Sequence, residues 1–269
     1  MIYLTRTSST SPLTKGTVKY DEAQKVIHTM MNIGIFITVI FAALFAKNPL
    51  MALICLALYV QLGHSYNDGL NKVTIWKWLP EALCYMFLAG YAYFIGGSEV
   101  TFIFQLSLLY MFLVIMYQIY WEGELKEILF FEEVNILRHF GVRVENDTLF
   151  IPRWLQASSY LINIIKLVVG YVVVYLVSGL LGVVIYTVGA AITMYYVHKM
   201  TKAPRKYIHD KELEYMGNAE AFNLVMFTIA VMAKTIQSLL FGIFLALFSI
   251  GWYFIFNKIQ WGVAKRPQV

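Results

Sequence analysis

Apolar and polar stretches alternate along the chain in a regular way. Eight apolar runs stand out, at about 29–46, 49–66, 79–95, 101–120, 156–177, 180–199, 219–233 and 236–257. A bilayer core of about 30 Å needs roughly 20 apolar residues in a helix, and most of these runs come near that length. Unpaired backbone groups are too costly in lipid, so the runs are expected to be helices. The predicted fold class is therefore all-α: a polytopic membrane protein of about eight transmembrane helices. The connections alternate in length. Lys47-Asn48-Pro49, Gly96-Gly97-Ser98-Glu99, Ser178-Gly179 and the region near Lys234 read as tight turns. The loops at 67–78, 121–155 and 200–218 are long.

Composition supports lipid as the main surroundings. The 269 residues are 59% hydrophobic and only 14% charged, with a mean hydropathy of +0.64. Soluble domains carry about 25% charged residues. With the N-terminus placed inside, the long loops and their basic residues fall on the inner side, and so do Lys258, Lys265 and Arg266 after the last helix. Lys47 and Lys234 are left outside. This positive-inside bias sets both termini in the cytoplasm and points to a cytoplasmic or inner membrane. The net charge of +5 is accounted for by these loops and calls for no nucleic-acid partner. Cys55 and Cys84 lie in apolar runs and read as packing residues. The five histidines are isolated from one another, so neither a metal site nor a bound cofactor is expected.

Between 121 and 155 the chain is partly amphipathic. Glu122, Glu124, Glu127, Glu132 and Glu133 precede Arg138 and Arg143, with Ile128, Leu129, Phe130, Phe131, Ile136 and Leu137 interleaved. A short amphipathic helix on the inner surface, packed under the bundle, is expected, with docking of a partner as the alternative. The fourth and eighth runs also resemble each other. Gln105 and Gln237 are each followed by Phe-Leu seven residues later, then by aromatics at the inner end. Two copies of a three-helix unit, related by an axis along the membrane normal, would give this pattern. The chain then divides into a cytoplasmic segment 1–28, an extra helix 29–46, a first unit 49–120 and the loop 121–155. A linking helix 156–177, a second unit 180–257 and a cytoplasmic tail 258–269 follow.

Thr74-Ile75-Trp76-Lys77-Trp78-Leu79-Pro80, followed by Tyr91-Ala92-Tyr93-Phe94, resembles the first-repeat pattern of the PnuC family of nicotinamide riboside transporters. Gln105, Tyr110 and Tyr120-Trp121 resemble its third helix. In the second repeat, Tyr215, Asn218 and, after a one-residue shift, Asn223 stand where that family has two tryptophans and an asparagine. The resemblance covers about 49–260. It implies facilitated diffusion of a small ribosylated, aromatic metabolite. The binding residues it implies are Trp76, Trp78, Gln105, Tyr110, Tyr215, Asn218 and Asn223, with no catalytic residue and no metal. Their chemistry suits the task. An aromatic face attracts a cationic ring, and amides offer donors and acceptors to ribose hydroxyls. Trp and Tyr also gather at membrane interfaces whatever the function, so an interfacial belt is the competing reading of each aromatic.

Lys166 lies near the centre of the fifth run. A lysine there is costly and is expected to face the bundle interior or to pair, with Glu81 and Glu220 as candidate carboxylates. Two other functional classes stay open. Asp68, after the second run, and Asp210 and Glu214, after the sixth, are placed like the Mg²⁺-binding acids of UbiA-type intramembrane prenyltransferases. A non-catalytic subunit of a larger membrane assembly, or a homo-oligomer, fits the aromatic-rich helices equally well.

Overall fold

The structure is a computed structural model and describes residues 20–66, 76, 78–126, 128–129 and 134–261. The protein is mainly helical. The long helices are α1 (Tyr20–Phe45), α2 (Pro49–Ser65), α3 (Trp78–Gly96), α4 (Phe102–Tyr117), α5 (Arg153–Thr201), α6 (His209–Val231) and α7 (Ile236–Trp261). α4 continues through a π-helical stretch, Gln118–Gly123, into one further α-turn, Glu124–Lys126.

Although α5 spans 49 residues, it is broken at Gly179, where φ is 65° and ψ is −152°. Only glycine enters that region without strain. The two halves fold back as an antiparallel pair: the Tyr160 hydroxyl meets His198 Nδ1 at 2.8 Å, and the Tyr171 hydroxyl donates to Thr187 Oγ1 at 3.1 Å. The expected turn at Ser178-Gly179 is therefore present. The apolar stretches 156–177 and 180–199 lie on its two arms.

The other tight turns are fixed by capping. Pro49 opens α2, where its missing N–H costs nothing, and Asn48 Oδ1 accepts from the Met51 N–H at 3.2 Å. Asn48 Nδ2 also donates to the Ser98 carbonyl at 3.1 Å, tying two turns together at one end of the bundle. Thr101 caps α4 through the Phe104 N–H at 3.1 Å, and Thr235 caps α7 through the Ser238 N–H at 3.1 Å.

At the opposite end lies a small sheet. β1 (Arg143–Glu145), β2 (Thr148–Phe150) and β3 (Arg205–Lys206) run antiparallel in the order β1-β2-β3. Asn146 and Asp147 form the hairpin turn with φ of 47° and 59°. Two left-handed residues in a two-residue loop suit Asn and Asp and match the strand twist. Arg205 clamps the sheet to the start of α6: both guanidinium nitrogens donate to Glu212, Nη2 to Oε2 at 2.6 Å, and Nη2 also reaches the Met200 carbonyl at 2.7 Å. Tyr117, Trp121, Leu125, Leu137, Leu149, Leu155 and Met200 form the core beneath.

In this region Glu122 and Glu124 are buried, each 2% exposed. Glu124 Oε2 accepts the Ile136 N–H at 2.8 Å, and Asn135 donates to the Glu124 carbonyl at 2.7 Å. Among the described residues the only separate helix in this loop is one turn, Ile136–His139. Glu127, Glu132 and Glu133 lie outside the described residues. α6 also begins ten residues before the apolar run at 219, because its first turns pack on the sheet end rather than on lipid.

Among the described residues, three stretches are long and apolar enough to cross a membrane: Lys25–Phe45, Phe102–Gly123 and Arg153–Thr201. Pro49–Ser65 and Ile236–Gly251 are shorter apolar helices. Their outward faces are apolar. Ile33, Phe36, Ile37 and Leu44 of α1, and Leu240, Phe241, Phe244 and Leu247 of α7, are exposed. Exposed apolar faces of this kind are what helices in contact with lipid or a partner present.

Candidate functional site

α4, both halves of α5 and α6 meet around a line of buried polar side chains. On α5, Ser159, Asn163, Lys166 and Gly170 recur at intervals of three and four, so they share one face. All four are buried. On α6, Glu220 and Asn223 are three apart and also buried. Lys166 Nζ donates to Glu220 Oε1 at 2.6 Å, and both side chains are almost fully enclosed. The ammonium also sits 4.9 Å from the centre of the Tyr117 ring, a cation–π arrangement.

The network extends in two directions. Toward one end, the Tyr186 hydroxyl donates to Asn223 Oδ1 at 3.1 Å and lies 3.4 Å from the Tyr110 hydroxyl. Phe227 stacks on Tyr110, with ring centroids 4.1 Å apart, and meets Tyr186 edge-on at 5.8 Å. Gly170 makes room for Tyr186, because a Cβ there would collide with the phenol. Toward the other end, the Tyr117 and Ser159 hydroxyls meet at 2.8 Å, and Ser159 and Thr201 at 3.2 Å. Thr201 donates its own hydrogen bond to the Val197 carbonyl at 2.6 Å.

Glu122 joins this end through the π-helical stretch. An i→i+5 repeat sets residues five apart nearly one above the other, so Glu122 follows Tyr117 on the inward face. An α-helix would carry it well away from that face. Glu122 Oε1 and Asn163 Oδ1 are buried without a hydrogen-bond partner.

Of the residues singled out in the sequence, the structure brings three together: Tyr110, Asn223 and Lys166. Glu220, not Glu81, is the partner of Lys166. Five others lie apart from them. Trp76 is 59% exposed and contacts Trp78, with ring centroids 6.0 Å apart. Trp78 is half-buried at the sheet end, against Tyr120 at 6.3 Å. Tyr215 is half-buried beside Tyr196 at 6.4 Å. Asn218 is half-buried on α6. Gln105 is exposed and lines an open apolar groove with Leu83, Met86, Leu108, Leu109 and Phe112.

Tyr117, Glu122, Ser159, Asn163 and Tyr186 carry the cluster as well and were missed. The signal for two of them was present: Ser159 and Asn163 stand at helical spacing from Lys166. For the alternative enzyme reading, Asp68 lies outside the described residues and Glu214 is exposed. Among the described residues, no group of three or more His, Cys, Asp or Glu side chains is placed to hold a metal ion.

What the arrangement can do chemically follows from its parts. It offers a positive charge, carboxylates, two amides and several phenols, walled by aromatic rings and excluded from water. No protein-family model, curated protein or solved structure matches this chain.

Proposed function

We propose that the protein is an integral membrane transporter of about eight spans, with both termini cytoplasmic, that moves a small aromatic, hydroxyl-bearing solute by facilitated diffusion. The observation that carries this reading is the Lys166–Glu220–Asn223 cluster, enclosed by Tyr110, Tyr117, Tyr186 and Phe227. Ionisable groups within apolar helices are expensive, and they are kept where a solute or ion must be handled. Amides and phenols match sugar hydroxyls, and the aromatic walls match a flat ring.

A nicotinamide riboside-like solute is the substrate class the PnuC resemblance implies. Tyr110 and Asn223, two of the residues that resemblance names, sit in the cluster and support it. The break at Gly179 joins the two arms of α5, which suits a linking helix leading directly into the second three-helix unit. No specific observation favours the prenyltransferase or assembly-subunit readings over this one.

Calorimetry on detergent-purified protein tests the proposal, with nicotinamide riboside beside thiamine and nicotinamide. Saturable binding of the riboside, weakened roughly fivefold by Asn223→Ala, is expected, since one lost hydrogen bond is worth about 1 kcal/mol. Absence of heat with the riboside and both controls would remove the substrate assignment.

A further inference from the structure

Glu122 is the one carboxylate of the buried cluster that the Lys166–Glu220 pair does not use. Its position has a clear cause: the π-helical stretch Gln118–Gly123 turns it inward, leaving it 2% exposed. Single π-turns inside α-helices recur at functional sites, because an inserted residue is costly to keep otherwise.

The charges around it are unbalanced. Of the elements packed on this stretch, α5 presents Lys166 and α6 presents Glu220, and both interact electrostatically with Glu122. α4 itself contributes the Tyr117 phenol. α3 carries Glu81 in its first turn. The turn Ile136–His139 carries Arg138 and His139, of which His139 is exposed. Glu124 is engaged by the Ile136 N–H. Lys166 neutralises Glu220 at 2.6 Å, so an ionised Glu122 would leave one negative charge in a water-excluded centre. Its Oε1 is a buried acceptor without a donor. A protonated carboxyl is itself a donor, and protonation also removes the excess charge.

We propose that Glu122 is a proton-binding site that couples the core of the bundle to the proton concentration on the side of the sheet. The step is a simple one: the carboxylate takes one proton from water at that end and becomes the neutral acid, with no other bond made or broken. In the closed arrangement seen here the acid form is held next to the Lys166–Glu220 pair. Opening toward the sheet end would hydrate Glu122 and release the proton. As a pH control on facilitated passage the site rests on the transport reading, but its protonation is measurable without any solute.

The test is infrared difference spectroscopy on the purified full-length protein, stepped from acidic to alkaline buffer. The wild type is expected to show the C=O band of a buried carboxylic acid, fading as carboxylate bands grow. Glu122→Gln should abolish the band. Glu122→Asp, which keeps the acid, should move it to a new frequency, and this variant decides the matter if the glutamine variant does not fold. Glu220→Gln should keep the band but shift its titration to lower pH, because Lys166 is then free to stabilise ionised Glu122. A wild type without a titrating acid band would overturn the proposal. So would a band that survives Glu122→Gln, or one that Glu122→Asp leaves unmoved. If the band behaves as expected while no solute binds, the transport reading fails and the proton site stands.

Discussion

Between α2 and α3 the contact is made by Ala52, Cys55, Ala82, Cys84 and Gly90, all buried. Small residues let the two backbones approach, and a Cβ on Gly90 would lie only 3.0 Å from Cys55 Sγ. Helices in lipid associate through such close packing, since lipid tails are as apolar as the helices themselves. Where α4, α5 and α6 meet, the contact is made instead by Lys166, Glu220, Asn223 and three tyrosines. One seam is held by shape, the other by charge and hydrogen bonds. The small-residue seam gains stability and carries no chemistry. The polar seam puts costly groups out of water, and that cost points to the place where a solute or proton is handled.

Breaking the polar seam at its charge should have the largest effect. Lys166→Met leaves Glu220 buried and unpaired, and a loss of about 3–5 kcal/mol is expected. Thermal unfolding in detergent measures it. The double variant Lys166→Met with Glu220→Leu should recover most of that loss, since it removes both charges. No recovery would mean that packing, not charge, holds this seam. Next in size, Gly90→Val should cost about 1–3 kcal/mol by overpacking against Cys55. The same assay should show this loss unaffected by pH, in contrast to the polar seam. Tyr186→Phe should cost about 1 kcal/mol, because Asn223 Oδ1 loses its donor while the ring packing on Phe227 is kept.

The smallest effect concerns the sheet end. Burial pushes the Glu212 carboxyl up, with the Arg205 guanidinium opposing that shift. A carboxyl raised in the folded state binds its proton more tightly there than when unfolded. Its contribution is then greatest below the unfolded value, and stability falls as pH rises toward the folded one. Glu212→Gln should flatten this dependence, read as unfolding temperature against pH. An unchanged slope would assign the dependence to another group.

The helices and their turns were largely legible in the sequence. The apolar runs, Asn48-Pro49 and Ser178-Gly179 are strong local signals, and each depends on neighbours in the chain. The sheet was not legible, because strands of two or three residues carry no periodicity and β3 pairs with β2 across the 49 residues of α5. The role of Glu122 was not legible for a related reason: its sequence neighbours do not specify its direction, and it is the π-turn that sets it inward. Lys166 was recognisable as an anomaly, since a lysine among Ile164, Ile165, Leu167 and Val168 needs a partner. That Glu220 and not Glu81 supplies it depends on how α5 and α6 pack. The aromatics divided similarly. Tyr110 and Trp76 look alike in sequence, yet one is enclosed and the other is exposed at a helix end, as an interfacial belt would have it.

The most direct test of the central claim compares Asn223→Ala with Tyr215→Ala in proteoliposomes, reading uptake of nicotinamide riboside at equal protein content. Both residues are named by the same resemblance, but only Asn223 sits in the enclosed cluster. A transport site at that cluster predicts that Asn223→Ala lowers uptake roughly fivefold, the cost of about one hydrogen bond, while Tyr215→Ala stays near the wild type. Uptake that survives Asn223→Ala, or that falls only with Tyr215→Ala, would contradict it.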